Sequence, residues 1–256
     1  MNKIQQLFKE KNKNILSVYF TAGFPEAEAT AGIIKALEKA GVDFIEAGMP
    51  FSDPMADGPT IQHSSEIALK NGMNLDLYFK QLKEIKNEIS VPLIAMGYVN
   101  QMMRYGEERF LKSCCEAGIS GIILPDLPLN IYEKDYKELF EKYGLVNIFL
   151  ITPQTSEERI RKIDGISNTF IYMVSSASTT GSKKDISTTQ QEYFKRIRSM
   201  NLKNPLIIGF GISNRETYET ACRYASGAIV GSAFVKAIEK DHSEKTIKEF
   251  VKSIKG

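Results

Sequence analysis

Eight short apolar runs, each followed by a stretch of helical period, constrain this chain more than any other feature. The runs are ILSVYF at 15–20, VDFIEA at 42–47, PLIAMG at 92–97, ISGIIL at 119–124, VNIFL at 146–150, TFIYMV at 169–174, PLIIGF at 205–210 and GAIVG at 227–231. Between them, in EAEATAGIIKALEKA and SEKTIKEFVKSIK for example, apolar residues recur at three- and four-residue steps, as on one face of a helix. A strand that is apolar on successive residues is covered on both faces, which a parallel sheet flanked by helices provides. Eight such units predict the α/β class and a closed (β/α)8 barrel. An amphipathic helix precedes the first strand, since MNKIQQLFKEKNKN sets Ile4, Leu7 and Phe8 on one side. At 256 residues the chain has the length of one such barrel, and no composition break divides it, so one domain over 1–256 is expected.

The connections are of two kinds. In EKAGVDFIEAG, CEAGISGIILPD and RYASGAIVGSA a helix ends in a glycine or small-residue cap and the next strand begins almost at once. The connections at 48–59, 97–106, 125–130 and 175–187 are longer, rich in Gly, Pro, Ser and Thr, and read as loops. They leave the C-terminal ends of the strands, where barrel enzymes carry their chemistry.

Charge and composition narrow the function classes. Lys and Arg total 33 against 31 Asp and Glu, and no basic stripe is interleaved with aromatics, which argues against a nucleic-acid face. The longest apolar runs, GIILP and PLIIGFG, fall far short of the roughly 18 residues of a membrane span. The first residues lack the apolar centre of a secretory signal, so a soluble, cytoplasmic protein is expected. Cys114, Cys115 and Cys222 fit neither a zinc site nor a disulfide framework and read as reduced core thiols. His63 and His242 are too few and too far apart to suggest a metal cluster.

The residues able to do chemistry gather at the predicted strand ends. Glu46 shares strand parity with Val42 and Phe44, so it should point into the barrel, where desolvation raises a carboxyl pKa towards neutrality; the alternative is a strand-end Glu paired with a Lys or facing solvent. Asp57 lies in SDPMADGPT, between Pro54 and Pro59 and before Gly58, and on its own reads equally as a helix cap or turn residue, as does Asp53. GFGIS follows the seventh run and VGSAFVK the eighth, so Gly211, Gly231 and Ser232 would offer backbone N–H groups to a phosphate at helix N-termini, or else simply close turns. The stretch SSASTTGSKKDIST after the sixth run has little to bury and is either a connector or a lid, and Tyr172 just before it is either a core or a site tyrosine.

IEAGMPFSDPMADGPTIQ, joined to GFGIS and GSAFVK, resembles the tryptophan synthase alpha subunit family, and YFTAGFP, GYVN and LPDLP extend the likeness over nearly the whole chain. The resemblance implies a TIM barrel that cleaves indole-3-glycerol phosphate to indole and glyceraldehyde 3-phosphate with no metal or organic cofactor of its own. It also implies a beta-subunit partner that carries pyridoxal phosphate, in an alpha2-beta2 heterotetramer. By the same resemblance Glu46 and Asp57 match the two catalytic carboxylates. Tyr172, Thr180, Gly181, Gly211, Gly231 and Ser232 match substrate-binding positions, with Thr180 on the lid. Asp53, Pro54 and Asn100 match positions facing the beta subunit. The segment SSASTTG lacks an Arg and a second Gly common in the family, and DLPLN lacks the acidic pair often found after DLP.

Overall fold

Nine parallel strands form one curled sheet: β1 Ile15–Thr21, β2 Phe44–Gly48, β3 Leu93–Met96, β4 Ile119–Ile123, β5 Val146–Asn147, β6 Leu150–Ile151, β7 Ile171–Val174, β8 Leu206–Gly209 and β9 Gly227–Val230. The computed structural model describes residues 2–54, 57–175 and 187–256. The strand order is β5-β4-β3-β2-β1-β9-β8-β7-β6, and every pairing is parallel. The two end strands of this order therefore follow each other in the chain, separated only by Ile148 and Phe149.

The expected eight runs become nine strands because the fifth is divided. Its first half pairs with β4 and its second with β7. Ile148 N–H donates to Ile122 O on one side, and Phe149 O accepts from Tyr172 N–H on the other. One extended segment thus changes neighbours midway, and its continuous apolar character gives no sign of the switch.

The tight connections have the expected caps. The helix Ala29–Lys39 ends at Ala40, and Gly41 (φ 87°) turns the chain into β2. The helix Glu107–Glu116 ends at Ala117, and Gly118 (φ 77°) leads directly into β4. Both glycines adopt the left-handed conformation that other residues resist. Connection 97–106 departs from expectation: it holds the helix Val99–Tyr105. Its own Gln101 and a side chain from elsewhere stabilise its first turn, with Gln101 Oε1 accepting from Tyr98 N–H at 3.0 Å and the Asp126 carboxylate accepting from Val99 N–H at 3.0 Å. Of the three cysteines only Cys114 is fully buried; its neighbour Cys115 is exposed and Cys222 half-buried, because adjacent residues on a helix point about 100° apart.

At the end opposite the long connections, the helix Lys3–Glu10 seals the sheet. Asn2 caps it through Ile4 N–H and also donates to Ser120 O and Gly144 O, at 2.7 and 3.0 Å. Ile4 is buried beside Gly121, where a Cβ would sit only 2.7 Å from Ile4 Cδ1, so a larger residue in β4 would displace the helix. Phe170 packs against Phe8 on one side and Phe44 on the other, with both centroid separations 5.4 Å. Full burial of a Phe ring is worth roughly 1.5–3 kcal/mol. Among the described residues no helix is long and apolar enough to cross a membrane.

Candidate active site

Strand register sets the first catalytic candidate. Glu46 lies opposite Tyr19 of β1 and Ile94 of β3, near the C-terminal ends of all three strands. It is completely buried, and among the described residues neither carboxylate oxygen has a hydrogen-bond partner. The alternatives of a lysine-paired or solvent-facing Glu are therefore excluded. Burial without compensation penalises the charged form and raises the Glu46 pKa to about 8.

Asp57 comes from the loop after β2 and lies close enough to Tyr19 and Tyr172 for its charge, like that of Glu46, to act on both. Its N–H donates to Pro54 O, and its carbonyl accepts from Gln62 Nε2, both at 3.0 Å. The following helix begins at Pro59 with Gly58 as its N-cap and no side-chain cap. The Asp57 carboxylate is thus not used as a helix cap; it accepts from the Tyr98 hydroxyl at 2.9 Å. Burial lifts its pKa to about 6, with the Tyr98 bond opposing the rise.

Two tyrosines complete the described wall. Tyr172 on β7 is buried with its hydroxyl over Gly209, and Tyr19 is buried with its hydroxyl over Gly48; a Cβ on either glycine would overlap the phenol oxygen, so both glycines give the rings their room. Burial first, then the charges of Glu46 and Asp57 among others, hold the Tyr172 hydroxyl well above its ordinary pKa. Tyr19 is raised for the same reasons, with Asp57 the first charge after burial. The two phenols thus lie where the charges of both Glu46 and Asp57 reach them, at the ends of β1, β2 and β7.

The glycine positions divide. Gly231 is the N-cap of the helix Ser232–Ile238, which has no side-chain cap, so its first N–H groups are not taken up by a capping side chain. A Cβ on Gly231 would lie 3.6 Å from Tyr19, which places this turn beside the carboxylate cavity. Gly211 does not open a helix: the helix after β8 begins at Arg215 and is closed by its own Asn214 cap. Gly211 instead follows Phe210 in two successive left-handed conformations, φ 66° and 76°, near Ser175 and Gln190. Thr180 and Gly181 lie outside the described residues.

Asp53 and Asn100 are exposed, whereas Pro54 is buried. Sequence reasoning passed over Tyr19, Tyr98 and Gln101. Tyr19 could have been found by parity with Ser17 in β1, but Tyr98 sat in a stretch read as loop and meets Asp57 only across 41 residues of chain. Among the described residues no group of three or more His, Cys, Asp or Glu side chains could hold a metal ion.

Comparison with known proteins identifies relatives along the whole chain. A sequence profile of the tryptophan synthase alpha chain family matches residues 5–255. The tryptophan synthase alpha chain of Flavobacterium johnsoniae is 58% identical over 255 residues, covering 100% of both chains. That of Bacteroides thetaiotaomicron is 51% identical over 256 residues, again covering 100% of both. A crystal structure of the tryptophan synthase alpha chain from Legionella pneumophila superposes with a TM-score of 0.88 at 31% identity, covering 100% of this chain and 96% of that one. A structure of Mycobacterium tuberculosis tryptophan synthase superposes with a TM-score of 0.87 at 28% identity, covering 98% and 95%. Full-length matches of this kind, on a chain whose only fully buried carboxyl among the described residues sits near the ends of the strands, leave one assignment: the chain belongs to the tryptophan synthase alpha chain family.

Proposed function

We propose that this chain cleaves indole-3-glycerol phosphate to indole and glyceraldehyde 3-phosphate, with Glu46 as the acid/base and Asp57 as the group that holds the indole nitrogen. The reaction breaks the bond from indole C3 to the glycerol chain, which requires a proton on C3 so that the bonding electrons return to a cationic indoleninium. Glu46, protonated at neutral pH, supplies that proton. The carboxylate so formed then takes the proton of the adjacent side-chain hydroxyl as the C–C bond breaks and the aldehyde forms, which returns Glu46 to its starting state. Asp57, ionised above about pH 6, accepts from the ring N–H and stabilises the positive charge that gathers there. The observation that carries this reading is the Glu46 carboxyl itself, fully buried with both oxygens unpartnered, since an uncompensated buried acid has no structural use that an apolar residue would not serve better.

The backbone N–H groups at Gly231 and Ser232, with the turn at Gly211, hold the phosphate, and Tyr172 borders the indole. By the family resemblance Thr180 and Gly181, outside the described residues, also contribute to substrate binding. The sheet closes into a (β/α)8 barrel through the divided fifth strand, with the first helix as an added cover and residues 1–256 as one domain. A beta chain carrying pyridoxal phosphate docks on the side of Asp53, Pro54 and Asn100, giving an alpha2-beta2 assembly in the cytoplasm.

Purified full-length protein, assayed with its beta chain, is expected to release indole and glyceraldehyde 3-phosphate in equal amounts from indole-3-glycerol phosphate; no release would reject the assignment. Within that reading, Gly211→Val should weaken glycerol phosphate binding by about 10-fold or more, because the left-handed φ of 76° is strained for a β-branched residue and the turn must shift. Indole binding should be little changed. Equal loss of both ligands would point to disruption of the fold and remove Gly211 from the phosphate site.

A further inference from the structure

Asp57 sits on a loop, yet its carboxylate must meet a ring nitrogen with the precision that catalysis demands. Something must hold it. The contacts around it trace a brace through two neighbouring loops. The Tyr98 hydroxyl donates to Asp57 Oδ2 at 2.9 Å, and the Tyr98 ring stacks on Phe51 with centroids 5.1 Å apart and planes 26° from parallel. Phe51 belongs to the loop after β2, as Asp57 does, whereas Tyr98 belongs to the connection after β3. Gln101 then ties these two connections together: its Oε1 accepts from Tyr98 N–H and its Nε2 donates to Pro50 O, each at 3.0 Å. Gly97 leaves the space for it, since a Cβ there would lie 2.6 Å from Gln101 Oε1 and 2.5 Å from Met49 Cε.

Building on the reaction proposed above, we infer that Tyr98 is the positioning residue for Asp57, and that Gln101 fixes Tyr98 in place so that Asp57 is aimed into the cavity before substrate arrives. The arrangement is directional. A phenol hydroxyl can donate to an ionised carboxylate, so the contact favours the charged form of Asp57. The other titratable groups facing this cavity work the opposite way or not at all: Glu46 on β2 is neutral at physiological pH, and the phenols of Tyr19 on β1 and Tyr172 on β7 remain protonated. Among the described residues Tyr98 is the group that opposes the rise caused by burial. Removing its hydroxyl should leave Asp57 half-buried, less fixed and harder to ionise. Removing the Gln101 bonds should produce the same effect in weaker form, because Tyr98 keeps its hydroxyl but loses its anchor.

The test is the pH profile of kcat/KM for indole-3-glycerol phosphate cleavage, measured on the full chain with its beta chain. The unaltered protein should show an acid limb near 6 for Asp57 and a basic limb near 8 for Glu46. Tyr98→Phe should move the acid limb upward by about half to one pH unit, leave the basic limb in place, and lower the plateau by about 3- to 10-fold. Gln101→Met, which keeps length while losing both hydrogen bonds, should move the same limb by less. If Tyr98→Phe does not fold, the Gln101→Met profile decides. An acid limb that stays near 6 in the folded variants overturns the inference, and so does a parallel shift of both limbs, which would mean general disturbance of the cavity. Asp57→Asn separates the two layers of argument: if that variant keeps full activity, the catalytic role of Asp57 itself has failed, whereas if it loses activity while Tyr98→Phe leaves the acid limb unmoved, only the brace has failed.

Discussion

Replacement of Glu46 by glutamine should lower the turnover of indole-3-glycerol phosphate by about 100-fold or more, with binding of a glycerol phosphate ligand preserved. The amide keeps the size of the side chain and fits the same fully buried position, but it can neither give a proton to C3 nor take one from the hydroxyl. The expected loss therefore falls on kcat and kcat/KM together, as it does when an interaction needed only in the transition state is removed. Steady-state kinetics across a range of substrate concentrations, with ligand affinity measured separately, would check it. Turnover within a few fold of the unaltered protein would end the case for Glu46 as the acid.

A second large effect concerns stability and has the opposite sign. Glu46→Leu should make the protein more stable at neutral pH by on the order of 3 kcal/mol. The carboxyl ionises near its ordinary value of 4.5 in the unfolded chain but only at about 8 in the folded one. Between those values the native state holds a proton that the unfolded state has released, so folding stability contributed by this group is full below 4.5 and declines as pH rises, by about 1.4 kcal/mol per pH unit, until the folded pKa is passed. Leucine removes that slope. Urea unfolding at pH 5, 7 and 8 should show the gap between variant and unaltered protein widening with pH. A gap that stays constant would mean that Glu46 is relieved by a partner, contrary to its unpaired oxygens. Activity and stability thus pull in opposite directions at this one residue.

Much of this architecture was legible because its signals are local. The eight runs coincide with strands to within a few residues, since burial on both faces demands unbroken apolar sequence, and Gly41 and Gly118 announced their turns because few other residues tolerate a positive φ. Strand parity alone aimed Glu46 inward. What escaped notice depends on meetings across the chain. The break at Ile148 and Phe149 is invisible in sequence because β4 and β7, not the segment itself, decide where each half pairs. The helix Val99–Tyr105 is only seven residues long and takes one of its stabilising bonds from Asp126, so no local pattern declares it. The same is true of Gly211, whose turn resembles a helix entrance until Asn214 takes that role three residues on. Pairing of Tyr98 with Asp57 could not be read from either residue's surroundings.

The first helix carries a consequence for what it can do by itself. Asn2 closes its bonds on Ser120 and Gly144, and Phe8 rests on Phe170. An isolated eight-residue helix is too short to persist in water, so this one exists only while it is docked. Its order is borrowed from the sheet, and whatever loosens Ser120, Gly144 or Phe170 would release the helix as a unit and bare Gly121 and Phe170 beneath it.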